Sequence, residues 1–210
     1  MDILPFLPGF IAAYAILLVG ASSPGPAVAM LLGISLEQGR SAALITSFGI
    51  AFGSATLNVL TLIGVGLLLS QIAWAMTALK FIGAAYLLYL AYGAAKKAAN
   101  PPKITIAEVE VEGRARLFLK GYLLQVTNPK AIVFWLAIAA VGATAGGGLP
   151  IILAFVAGGW VISFLCHAAW SVFLSAGHFR RLYARARRGV EATLGVFFAF
   201  AAFKLATSRT

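Results

Sequence analysis

Two short polar runs interrupt apolar stretches of this sequence: Ser22-Ser23-Pro24-Gly25-Pro26 and Thr127-Asn128-Pro129-Lys130. Proline removes a backbone donor and clashes with the preceding turn, so neither run continues a helix. Ser, Thr and Asn cap helix starts, and proline is favoured at the first helical position. Each run therefore reads as the start of a half-helix, with free N–H groups and a positive dipole end. The chemistry this offers is the holding of a small anion, such as a carboxylate, between two N–H clusters. The other reading is a pair of proline kinks that only shape packing.

Lys130 adds a full charge at the end of the second run. A lysine at mid-helix in lipid costs about 2.5–3.5 kcal/mol, so it must face the protein interior or water. Asp2, Glu37, Glu108, Glu110, Glu112 and Glu191 all lie at a terminus or in or near a connection between apolar stretches. Lys130 is left with backbone carbonyls, water or a ligand carboxylate. Thr56 and Asn58, and Ser163 with His167, place further polar groups at similar points of the two halves. Imidazole titrates near neutrality, which makes His167 a candidate carrier of a coupling proton. A buried, hydrogen-bonded histidine is the alternative there. Lys80, near the end of its stretch, reads as a snorkelling side chain.

The elements that must position these groups are membrane helices. Hydrophobic residues form 61% of the chain and charged residues 10%, with mean hydropathy +0.96; a soluble domain carries about 25% charge. About 20 apolar residues cross the hydrocarbon core. The pattern predicts an all-α integral membrane protein with six transmembrane helices, near 6–35, 41–69, 77–95, 117–144, 149–177 and 190–207. The first and fourth are broken at mid-membrane. Gln71-Ile72-Ala73-Trp74 reads as an interfacial stretch, and the N-terminus lacks the form of a cleavable signal.

Arg40, the Lys96–Lys120 segment and Arg180–Arg188 load three connections on one side with positive charge. The positive-inside rule puts these in the cytoplasm and both termini outside. Trp74, Trp135 and Trp160 then read as an aromatic belt towards the outer face. The net charge of +10 reflects topology and anionic headgroups rather than nucleic acid. Cys166, the single cysteine, excludes an internal disulfide and a dithiol electron carrier. No phosphate loop, metal cluster, nucleophile elbow or cofactor motif is visible, so neither an enzyme nor a cofactor is expected.

Three helices per half make any repeat inverted, and broken helices at matched places of inverted repeats point to a carrier's binding site. The halves are 1–96 and 117–210, joined by a cytoplasmic linker over 97–116. Gly49 and Gly53 correspond to Gly158 and Gly159, as helix-packing positions. Gly49-x-x-x-Gly53 and Gly142-x-x-x-Gly146 permit close helix approach, within the chain or in a homodimer. The expected substrate site is Ser22, Ser23, Pro24, Gly25, Pro26, Thr56, Asn58, Thr127, Asn128, Pro129 and Lys130. An anion or small-solute channel is the alternative, since Lys130 and two helix dipoles suit that as well.

The chain resembles the LysE/RhtB family of bacterial amino-acid exporters over nearly its full length. The resemblance rests on Ser23-Pro24-Gly25-Pro26, the Gly39-Arg40 turn, Gly49-Ile-Ala-Phe-Gly53, Lys80-Phe-Ile-Gly-Ala-Ala-Tyr-Leu-Leu-Tyr and Asn128-Pro129-Lys130-Ala131. It implies an inner-membrane exporter of amino acids or close derivatives, driven by the proton motive force. Many members carry an acidic residue just after the glycine pair, where this chain has Gly53-Ser54. That departure, with the lack of intramembrane acid, points to a neutral amino acid.

Overall fold

In the computed structural model, which describes residues 2–71, 75–100 and 112–207, the chain is helical throughout. After a short turn of 3-10 helix come α1 (Leu7–Ser22), α2 (Pro26–Glu37), α3 (Gly39–Gln71) and α4 (Ala75–Ala99). They are followed by α5 (Arg114–Thr127), α6 (Pro129–Ala140), α7 (Leu149–Ser175) and α8 (Gly177–Thr207). No strand occurs among the described residues.

Both expected breaks are present. α1 ends where Ser23 turns extended (φ −77°, ψ 135°), and α2 starts on Pro26. α5 and α6 meet at Asn128 with a bend of 61°, and α6 starts on Pro129. α2 and α6 have 12 residues each, about 18 Å at the α-helical rise, so each is one limb of a broken span. Gly39, at φ +81°, turns the chain from α2 into α3 in a left-handed conformation that a side chain would strain.

By length and apolarity, Leu4–Ser22, Gly39–Gly64 and Leu149–Ser175 can each cross a membrane, and the bent α5–α6 pair makes a fourth candidate span. The expectation of six spans goes further than this. The fourth stretch ends at Ala140, short of the expected 144. Gly142 and Gly146 lie beyond it in a turn, at φ +68° and +75°, and so form no helix-packing pair. Ile72-Ala73-Trp74, most of the expected linker and the side chain of Lys80 lie outside the described residues.

Two compact units divide the chain: Met1–Val65 with Ile106–Ala176, and Gly66–Thr105 with Gly177–Thr210. Each draws on both expected halves. In the second unit α4 packs along α8, with Arg188 Nε donating to the Ala98 carbonyl at 3.0 Å. Glu191 there is buried at 2% exposure in mid-α8, not near a connection as the sequence suggested. The first unit holds both breaks. Its core is two apolar clusters. One joins Phe10, Leu17, Leu57, Ile138 and Phe155. The other joins Leu31, Ile34, Ala43, Ile50 and Leu117.

The helices of the first unit approach closely where glycine removes the side chain. α5 runs against α3 so tightly that a methyl on Gly49 would collide with the Phe118 carbonyl, and one on Gly121 with the Thr46 carbonyl. A methyl on Gly53 would lie 2.8 Å from Gln125 Cβ and 2.9 Å from the Tyr122 carbonyl oxygen. Gly158 receives the Tyr14 hydroxyl end, and Gly159 receives Trp135 and Asn58. Gly49, Gly53, Gly158 and Gly159 thus pack within the chain, as does Gly121.

Candidate functional site

The site is built where the two breaks meet. Asn128 accepts from the Lys130 N–H through its side chain (3.1 Å), which caps α6 as a helix start needs. α2 has no such cap, because its N-cap residue is Gly25. The N–H groups of its first turn are therefore without a side-chain partner. Lys130 reaches across from α6 to the first break. Its Nζ donates to the Ser23 carbonyl at 2.8 Å and to the Ser23 hydroxyl, which itself donates to the Gly20 carbonyl at 3.0 Å. A side chain on Gly25 would stand 3.3 Å from Lys130 Nζ, so the glycine makes room for the ammonium. Lys130 is buried, at 9% exposure.

Ser23, Gly25, Pro26, Asn128 and Lys130 line one small cavity of about 40 Å³, wholly inside the first unit. That volume holds about three water molecules. Ala27 and Val28, at the uncapped start of α2, and Ala131, at the start of α6, line it as well. Leu17, Ala131 and Trp135 also belong to one apolar cluster and Ala27 to the other, so the polar cavity lies between the two.

A second polar group completes the lining. Gln125 Nε2 donates to Ser54 Oγ at 2.8 Å, and Ser163 Oγ donates to the same Ser54 oxygen at 2.9 Å. His167 Nδ1 lies 2.7 Å from the Ser163 carbonyl. A carbonyl only accepts, so Nδ1 carries a proton, and in the neutral ring Nε2 holds the lone pair. Ser54, Gln125, Ser163 and His167 are all buried, and all but Ser163 line the cavity. About two turns further along, Ser47 and Ser171 share a hydrogen bond of 2.8 Å. α3 and α7 are thus joined by serine pairs seven or eight residues apart.

Other expected residues stand apart. Ser22 is exposed, with its hydroxyl 3.8 Å from Cys166 Sγ. Thr127 is exposed and bonds back to the Leu123 carbonyl. Thr56 bonds to the Phe52 carbonyl and to the Tyr122 hydroxyl. Pro24 and Pro129 shape the breaks without lining the cavity. Asn58 is buried at 1% exposure, outside the lining, with neither amide atom hydrogen-bonded. Trp135 corrects an expectation. It is 1% exposed and walls the cavity, because Gly159 opens a slot for its ring, and so it is no belt residue.

Gln125 and Trp135 were not anticipated as site residues, and Ser54 was noticed only as a departure. The signal for Gln125 was spacing: Leu117, Gly121, Gln125 and Asn128 fall on one face of a helix. Ser47 and Ser54 on α3, and Ser163, His167 and Ser171 on α7, repeat at four or seven residues in the same way.

The site is thus a polar, positively charged cavity inside apolar helices that break beside it. The family model of the LysE type translocator matches residues 18–209. The chain belongs to that family, and so is a multi-pass membrane transport protein rather than an enzyme. It is similar to the uncharacterized membrane protein YahN of Escherichia coli K12, 28% identical over 183 residues, covering 83% of this chain and 80% of the relative. The threonine efflux protein of the same organism is 30% identical over 130 residues, 60% of this chain and 62% of that one. The homoserine/homoserine lactone efflux protein of Salmonella typhimurium LT2 is 33% identical over 116 residues, 55% of each chain. The chain thus spans a little over half the length of these named efflux proteins. No solved structure matches it.

Proposed function

We propose that the chain is a secondary transporter that exports a small neutral amino acid or close derivative across the bacterial inner membrane. Its work would be alternating access driven by the proton motive force, through six spans arranged as two inverted three-helix repeats. The observation that carries this reading is Lys130. Its ammonium ties the start of α6 to the end of α1, 107 residues away, in a cavity that has no acidic side chain in its lining. The substrate carboxylate takes the place of the Ser23 carbonyl on Lys130 and receives the free N–H groups of Ala27 and Val28. The tie between the breaks then loosens, and one apolar cluster parts while the other stays closed. The named efflux activities of the relatives support an amino acid as substrate. Closure by apolar packing on both sides favours a carrier over a channel.

The sign of the coupling follows from His167. Export against proton entry needs substrate and proton to exclude each other. A substrate ammonium donating to the Nε2 lone pair does this, since a proton on Nε2 removes the acceptor.

The test loads cells lacking their own exporters with dipeptides and measures the free amino acids that appear outside. Wild type exports a neutral amino acid, and Lys130→Ala loses at least about tenfold of that rate at equal membrane levels. Unchanged export by the variant removes Lys130 from the site. Absence of any amino-acid export by wild type, with the protein in the membrane, refutes the function.

A further inference from the structure

α3 and α7 run antiparallel along a seam of matched positions. Ser47 meets Ser171, Ser54 meets Ser163, and one turn beyond Ser54 the next pair is Asn58 and Gly159. The first two pairs are hydrogen-bonded. The third is not, because glycine has no side chain to offer. Asn58 is 1% exposed, and neither Nδ2 nor Oδ1 makes a hydrogen bond. Its backbone carbonyl accepts from the Thr61 hydroxyl at 3.0 Å, so only the amide is left over. Buried amides are nearly always paired, because an unpaired one costs its full desolvation. The Trp135 ring fills the space that a side chain at 159 would take. A Cβ on Gly159 would stand 3.0 Å from Trp135 Cη2 and 3.2 Å from Asn58 Nδ2. Trp135 also lines the cavity, whereas Asn58 does not. One ring thus walls the cavity and covers the amide.

The covered amide lies beyond the cavity in one direction. Asn58 is four residues past Ser54 on α3, and Trp135 is five past Lys130 on α6, about 6 and 7.5 Å along their helices. Both steps lead towards the turn that holds Gly142 and Gly146. Trp135 and Leu57, the neighbour of Asn58, share an apolar cluster with Ala143 and Ile151 at that end. When this cluster parts, the ring leaves its slot and the amide opens to the cavity. A primary amide presents donor hydrogens and an acceptor side by side. The group it matches is a zwitterionic head, whose carboxylate accepts from Nδ2 while its ammonium donates to Oδ1. We infer that Asn58 is a second binding position for the α-amino-acid head, beyond the Lys130 cavity, and that the Trp135 ring closes it until the cluster opens. This rests on the amino-acid export reading and deepens it: the head passes from Lys130 to Asn58 before it reaches water. The position reads the head and adds nothing to selection among side chains.

The experiment joins melting in detergent with export kinetics for wild type, Asn58→Leu and the smaller Asn58→Val. Both variants remove the amide and keep a branched side chain. Cells are loaded with graded alanyl-threonine; if wild type does not export threonine, the amino acid that the dipeptide screen finds outside replaces it. At least one variant melts at or above the wild-type temperature, since it removes an unpaired buried amide. That variant keeps the wild-type half-saturating internal concentration, while its maximal rate falls at least about fivefold. Both variants melting below wild type marks an amide that serves packing and overturns the assignment. An unchanged maximal rate overturns it too, and a raised half-saturating concentration puts Asn58 in the loading site instead. The ring is tested on Asn58→Cys with Cys166→Ser, using an impermeant maleimide on intact cells at matched membrane levels. Position 58 stays unlabelled until Trp135→Ala is added. Equal labelling with and without the ring overturns its closing role. Absence of any amino-acid export by wild type overturns the export reading and this proposal together, whereas export that ignores the Asn58 variants overturns this proposal alone.

Discussion

His167 is the buried residue whose chemistry is most sensitive to one atom. Its Nδ1–H is held by the Ser163 carbonyl, and the rest of the ring borders the cavity. An asparagine there supplies an N–H where Nδ1 stands and has nothing to titrate. His167→Asn is expected to keep downhill export and to lose the response to an imposed pH gradient. Everted vesicles with a preset gradient and labelled substrate measure this. A variant that still answers the gradient places the proton elsewhere. Asn128 shows the complementary case, a polar residue whose role is local. It caps α6 and thereby frees the lysine beside it to reach across the break.

At the scale of elements, the broken spans depend on close backbone packing of α3 against α5. A side chain at Gly49 meets the Phe118 carbonyl, a backbone atom that yields only if a whole helix moves. Gly64 on the same helix has nothing within 4 Å of the corresponding position. Gly49→Ala is expected to lower thermal stability in detergent by several degrees, while Gly64→Ala leaves it unchanged or raises it, by about 0.5–1 kcal/mol of helix propensity. Equal melting of the two variants would mean that the α3–α5 contact does not hold the site. The same contact sets Gln125 against Ser54, with Nε2 donating to Oγ at 2.8 Å, so Gly49→Ala disturbs the cavity wall together with the helix packing.

At the scale of the molecule, the breaks, the two apolar clusters and the charge distribution share one direction. Arg40, Arg114, Arg116 and Lys120 lie at the end of the first unit where α2 finishes and α3 and α5 begin. Glu112 pairs with Arg116 and Lys120 at that end, and its N–H donates to Gln38 Oε1 at 2.9 Å. The turn holding Gly142 and Gly146 lies at the other end. With Cys166 replaced by serine, single cysteines at 40 and 116 are expected to react from the cytoplasm, and one at 146 from outside. An impermeant maleimide on intact cells reads this directly. Labelling of 40 and 146 from the same side would refute the proposed orientation.

Apolar composition and proline chemistry were enough to determine helices in a membrane, the two breaks and the residues at them. These are local properties: proline removes a backbone donor and is favoured at the first position of a helix, where Pro26 and Pro129 stand. The likeness of Gly49 and Gly53 to packing glycines was legible for the same reason. What only the tertiary structure decided is which polar residues meet. Ser22, Thr56 and Thr127 look as suitable as Ser23, Ser54 and Asn128 in the sequence. Helical rotation sends the first three to lipid, to their own carbonyls or to another helix. Trp135 reads as an interfacial residue until Gly159 on a distant helix provides its slot. The meeting of polar groups at Ser54 is equally nonlocal. Gln125 and Ser163, 71 and 109 residues away, both donate to its oxygen.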